Sequence, residues 1–72
     1  MITVEQIQQT QAYSKMDKMR QSFALKRENR LMINDAVTIC RNIGFEKWKE
    51  STTFTSWNIS IVNEIFEKTK IL

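Results

Sequence analysis

Histidine and proline are absent from this chain, and glycine and cysteine occur once each. Without histidine there is no Ser–His or Cys–His pair for nucleophilic catalysis. With Cys40 as the only thiol, the imidazole and thiolate ligand sets of structural zinc are missing and no internal disulfide can form. One glycine rules out a glycine-rich loop around a phosphate. The lack of proline leaves few turns for hairpins and favours helices. Hydrophobic runs are also short: the longest aliphatic one is Leu31-Met32-Ile33, far below the roughly 18 residues of a membrane-spanning helix. The opening MITVEQIQQ lacks the basic and apolar regions of a secretory leader. A cytoplasmic protein with no membrane partner is expected, and a lone Cys40 suits a reducing compartment. No cofactor is expected.

What is present points to a folded, all-α, single domain spanning residues 1–72. A hydrophobic share of 42% with two Trp, four Phe and one Tyr exceeds a disordered composition, despite the net charge of +3. A chain this short buries only about 60% of the surface that its unfolded form exposes. Disulfides and zinc being closed routes, self-association is the expected supplement, as a homodimer or with a partner that completes the core.

The pattern predicts a small three-helix domain, with helices at about 3–29, 31–43 and 56–70. Thr3 and Gln6 form a Thr-x-x-Gln capping box at the start of a long first helix. Within it Ala12, Met16, Met19 and Phe23 are spaced 4, 3 and 4, a seam suited to another helix. The central helix is the most apolar. Its Met32, Ile33, Ala36, Val37, Ile39, Cys40 and Ile43 cover more than half the circumference, which predicts burial from at least two sides. Continuing the wheel, seam and stripe are offset by about 130°, so a break is expected near Glu28–Arg30, with Asn29 the weakest helix former. Gly44 is placed as a left-handed C′ residue, followed by one possible turn in FEKWKE. The hydroxyl run 51–56 is a connector, with Thr55 or Ser56 as N-cap. The last helix is amphipathic through Trp57, Ile61, Val62, Ile65 and Phe66, with Glu64 and Lys68 as an i, i+4 ion pair.

Two surfaces are candidates for function. Residues 15–30 carry Lys15, Lys18, Arg20, Lys26, Arg27 and Arg30 against Asp17 and Glu28, and clustered cations of this kind meet nucleic-acid phosphates or an acidic protein. A solvated helix with snorkelling stems explains the same run. A helix-turn-helix reading fails on spacing, since a dozen residues separate Gly44 from the last helix where the motif uses about 3 to 4. The other candidate is apolar: Met16, Met19 and Phe23 of the seam, with Trp48 and Phe54 flanking the connector, as protein-binding anchors. Core packing is the competing explanation for each. The carboxylates Glu46 and Glu50, or Glu64 and Glu67, read as solvated ion pairs rather than an acid–base site. The expectation is therefore a small non-enzymatic regulator or adaptor that binds protein and is dimeric, with nucleic-acid binding through residues 15–30 as the alternative.

Overall fold

A computed structural model describes residues 1–70, and these are all-helical, with no strand among them. Six helices follow one another: α1 (Val4–Gln8), α2 (Gln11–Ser14), α3 (Lys18–Ala24), α4 (Arg27–Ile43), α5 (Phe45–Ser51) and α6 (Ser56–Lys68).

The expected long first helix is instead three short ones, and polar side chains make the breaks. The Thr3–Gln6 capping box forms as expected, with both reciprocal bonds in place. Thr10 then ends α1 and begins α2. Its buried hydroxyl donates to the Ile7 carbonyl at 2.7 Å and accepts from the Tyr13 amide at 3.1 Å. Asp17 starts α3 by accepting from the Arg20 amide at 2.8 Å. Short polar side chains offer the backbone an alternative to the helical ladder, and that competition breaks a stretch with no Gly or Pro.

The break before the central helix lies at Leu25–Lys26, slightly ahead of the expected Glu28–Arg30. Asn29 is inside α4 and buried. Its amide donates to the Ala24 carbonyl at 3.0 Å and exchanges hydrogen bonds with Asn58 of α6 at 3.3 and 2.9 Å. Burial without such partners costs about 1–3 kcal/mol per group, so the pair fixes how α3, α4 and α6 meet.

α4 and α6 pack most extensively. Ile33, Ala36, Val37 and Cys40 of α4 join Ile61, Val62, Ile65 and Phe66 of α6 in one core, completed by Ile2, Ile7, Ala24 and Trp48. α4 is covered on one side only, however. Met32, Ile39 and Ile43, expected in its buried stripe, are exposed, because α5 and α6 both return to the same side.

Gly44 closes α4 and opens α5 at φ +91°, ψ 149°. The positive φ is as expected, but ψ takes it out of the left-handed helical region into a conformation that glycine alone adopts readily. The chain therefore turns directly into α5, two turns of helix where one was expected. Thr55 occupies the N-cap of α6 with extended backbone, though its hydroxyl caps nothing.

Candidate protein-binding surface

The outer side of α3 and α4 carries the exposed apolar residues. Apart from Met1, every large hydrophobic exposed among the described residues lies on these two helices: Met19, Phe23, Leu31, Met32, Ile39 and Ile43, between 39% and 84% exposed, Met19 most of all. At 100° per residue, Met32, Ile39 and Ile43 fall within about 40° of one another on α4. Met19 and Phe23, one turn apart, share a face of α3.

A cleft of about 290 Å³ joins the two groups. Phe23 and Met32 form part of its wall, Phe54 and Trp57 another part, and the buried Asn29 and Asn58 also line it. Phe23 meets Trp57 edge-on at 5.9 Å, which orients that wall. Lys26 stands at the rim with its Nζ 5.7 Å over the Phe23 ring. The cleft is mainly apolar with a few polar groups, the usual composition of a site for a side chain or small ligand.

The apolar candidates thus separate. Met19 and Phe23 are on the exposed band. Met16 is partly buried against the core, as the seam spacing allowed. Trp48, only 5% exposed, is a core residue. Phe54 is half-buried, edge-on to Trp48 at 5.3 Å, and reaches the surface through the cleft. Met32, Ile39 and Ile43 belong to the band but were assigned to the core on sequence. The available signal was the width of the apolar stripe, more than a single neighbouring helix covers.

The basic candidates also divide. Arg30 is turned inward, its Nε donating to the Leu25 carbonyl at 3.0 Å and its guanidinium reaching the Ile2 carbonyl at 3.4 Å. Arg20 pairs with Asp17 at 2.7 Å, and Lys26 lies over Phe23. Lys15, Lys18 and Arg27 are exposed and take no part in the two ion pairs found among the described residues, Arg20–Asp17 and Lys70–Glu67.

No protein-family model, curated protein or solved structure matches the chain.

The expected Glu64–Lys68 pair is replaced by longer-range bonds. Glu64 accepts from the backbone amides of Gln11 and Ala12 at 2.8 and 2.9 Å, one with each carboxylate oxygen, while Lys68 donates to the Gln9 carbonyl at 3.3 Å. Unpaired amides at the start of α2 hold a carboxylate better than an exposed lysine does. Burial pushes the Cys40 thiol above its ordinary value, which makes it a poor nucleophile. Among the described residues, no helix is long and apolar enough to cross a membrane.

Proposed function

We propose that this chain is a small non-enzymatic binding protein, a regulator or adaptor that acts through the α3–α4 surface. One observation carries the reading: among the described residues, the exposed large hydrophobics other than Met1 are gathered on two consecutive helices, with Phe23 and Met32 lining a cleft, instead of scattered. Leaving out Leu31, which lies about 100° round α4 from Met32, their exposed fractions, at roughly 150–200 Å² for each large side chain, amount to roughly 400–550 Å². That is within the range of the largest apolar patch on a typical monomer, where such patches often mark interaction sites. The cytoplasm suits a chain whose only cysteine is kept as a thiol.

The test uses a photo-crosslinking residue in place of Met19, irradiated in the native cells. Covalent adducts to a polypeptide are expected, this chain included. Adducts to nucleic acid alone, or none, would overturn the reading. The nucleic-acid alternative is favoured by one observation, the exposure of Lys15, Lys18 and Arg27 outside any ion pair. It requires tight binding of a mixed-sequence duplex that weakens steeply with salt, measured by fluorescence anisotropy.

A further inference from the structure

The cleft beside Phe23 and Met32 has a polar spot in its wall that the fold leaves partly unused. Asn29 and Asn58 both line it, at 2% and 4% exposure. Their amides pair reciprocally, the Asn29 nitrogen donating to the Asn58 oxygen at 3.3 Å and the Asn58 nitrogen to the Asn29 oxygen at 2.9 Å. A primary amide has two N–H donors. Asn29 spends its second on the Ala24 carbonyl at 3.0 Å. That carbonyl can only accept, so it fixes which way both amides are turned. The Asn58 nitrogen is not orphaned, since one N–H is bonded, but its second N–H has no acceptor among the described residues. A buried N–H without an acceptor is a cost that a bound acceptor removes.

We propose that the cleft binds a small, neutral heteroaromatic molecule of one or two rings, whose ring nitrogen or carbonyl accepts the free N–H of Asn58. The inference goes beyond the protein-binding reading, whose Met19, Ile39 and Ile43 lie outside the cleft. Three features of the wall select this class. Phe23 and Trp57 stand at 88° to each other, so a third ring can lie flat on one and meet the other edge-on, both favourable arrangements. Phe54 and the Met32 thioether line the same space, and sulfur at a ring edge adds a favourable contact. At about 290 Å³, roughly ten waters' worth of space, the cleft is at the small end of ligand pockets and suits one ring or two fused rings. Lys26 and Glu28 are both exposed at its rim, so an ion of either sign meets repulsion as well as attraction. The Asn58 oxygen already accepts from Asn29, so what its amide offers a ligand is a donor.

The experiment is a titration of the full ¹⁵N-labelled chain at neutral pH, followed by NMR, with two bicyclic probes of similar size and apolarity. Isoquinoline carries a ring nitrogen that accepts; indole carries a ring N–H that donates. Isoquinoline is expected to bind with a Kd below about 1 mM, a reasonable affinity for a ligand of its size, and to shift the side-chain amide of Asn58 and the indole N–H of Trp57. Indole sets donor against donor at Asn58 and is expected to bind at least about tenfold more weakly. Because the comparison is made on the wild type, it does not depend on an Asn58 variant that folds. Met32→Trp, on the exposed wall, fills the cleft and is expected to abolish isoquinoline binding; Thr53→Trp does the same from the connector if Met32→Trp loses its helical circular dichroism. No isoquinoline binding up to about 5 mM, indole bound as tightly, an Asn58 amide that does not shift, or a filled cleft that binds undiminished each overturns the proposal. Protein adducts at residue 19 alongside any of these results leave the protein-binding reading standing.

Discussion

Replacing Glu64 by alanine removes the bidentate carboxylate that ties α6 to the start of α2. The two bonds span 53 and 52 residues of sequence, at 2.8 and 2.9 Å. Hydrogen bonds to a charged group contribute about 1.5–3 kcal/mol each, but the exposed Gln11 amide regains water when the carboxylate leaves. Thr10 continues to cap the same helix through the Tyr13 amide. A net loss of about 2 kcal/mol follows, comparable to the loss of a strong N-cap. For a domain of this size, about 1 kcal/mol moves the melting temperature by about 4–8 °C, so Glu64→Ala should melt about 8–16 °C below the wild type. Glu64→Gln keeps one acceptor oxygen in place and should lose about half as much, because the bond that remains is no longer charge-assisted. Glu67→Ala is the control: its one ion-pair partner among the described residues is Lys70 at 3.8 Å, both exposed, and it should cost less than about 0.5 kcal/mol. Thermal and urea unfolding followed by far-UV circular dichroism give all three values. If Glu64→Ala falls within about 0.5 kcal/mol of the wild type, the carboxylate does not hold the N-terminal half to α6, and the reasoning fails.

Asn58→Leu leaves the side-chain oxygen Oδ1 of Asn29 without its 2.9 Å donor and should cost about 2–3 kcal/mol, while the Asn29→Leu, Asn58→Leu double variant should lose less than the sum; a strictly additive double-mutant cycle would contradict a shared network. Gly44→Ala meets no atom within 4 Å of its new Cβ, so its whole cost is backbone strain at φ +91°, about 1–3 kcal/mol, read as a lower urea midpoint at unchanged slope. Burial raises the Cys40 thiol above its ordinary value near 9, so above that pH the unfolded chain releases a proton that the folded chain retains, and stability should fall as pH rises. Cys40→Ala should remove that part of the fall, and a profile identical to the wild type would exclude the thiol as its cause.

The helical class and the core of α4 and α6 were legible because they depend on period. Ile33, Val37 and Cys40 recur at helical spacing, as do Ile61, Val62 and Ile65, and all six are buried. The layout before residue 27 was not legible in the same way. Its breaks come from Thr10 and Asp17, polar residues that a helix tolerates on its surface and that end it only when their side chains find backbone partners. Thr3 was readable because its partner, Gln6, is three residues away; Glu64 was not, because its partners lie more than fifty residues away and a nearer lysine offered a local pairing. The apolar surface was half legible. Met19 and Phe23 stood out by spacing, whereas Met32, Ile39 and Ile43 share a helix with the core, and only the packing of α5 and α6 determines which side of α4 is left uncovered.

The two halves of the chain are held by different forces, and that difference bears on the proposed binding surface. From α4 onward the structure rests on apolar burial. Before it, Ile2, Ile7 and Ala24 are the only hydrophobic residues in the core, and polar bonds do much of the rest: Thr10 to its neighbours, Gln21 to the Tyr13 carbonyl at 3.0 Å, Arg30 to the carbonyls of Leu25 and Ile2, Glu64 to α2. α3 has little burial to hold it, with Ala24 alone in the core and Phe23 resting edge-on against Trp57. Elements with few buried apolar contacts open locally at low cost. Met19 and Phe23 therefore sit on one of the least firmly held helices, next to the rigid α4 face that carries Met32, Ile39 and Ile43. A partner that covers both faces adds the apolar burial α3 lacks, so docking and ordering of α3 are coupled. On the proposed binding reading, the exposed band is the unfinished part of a small core that a partner would complete.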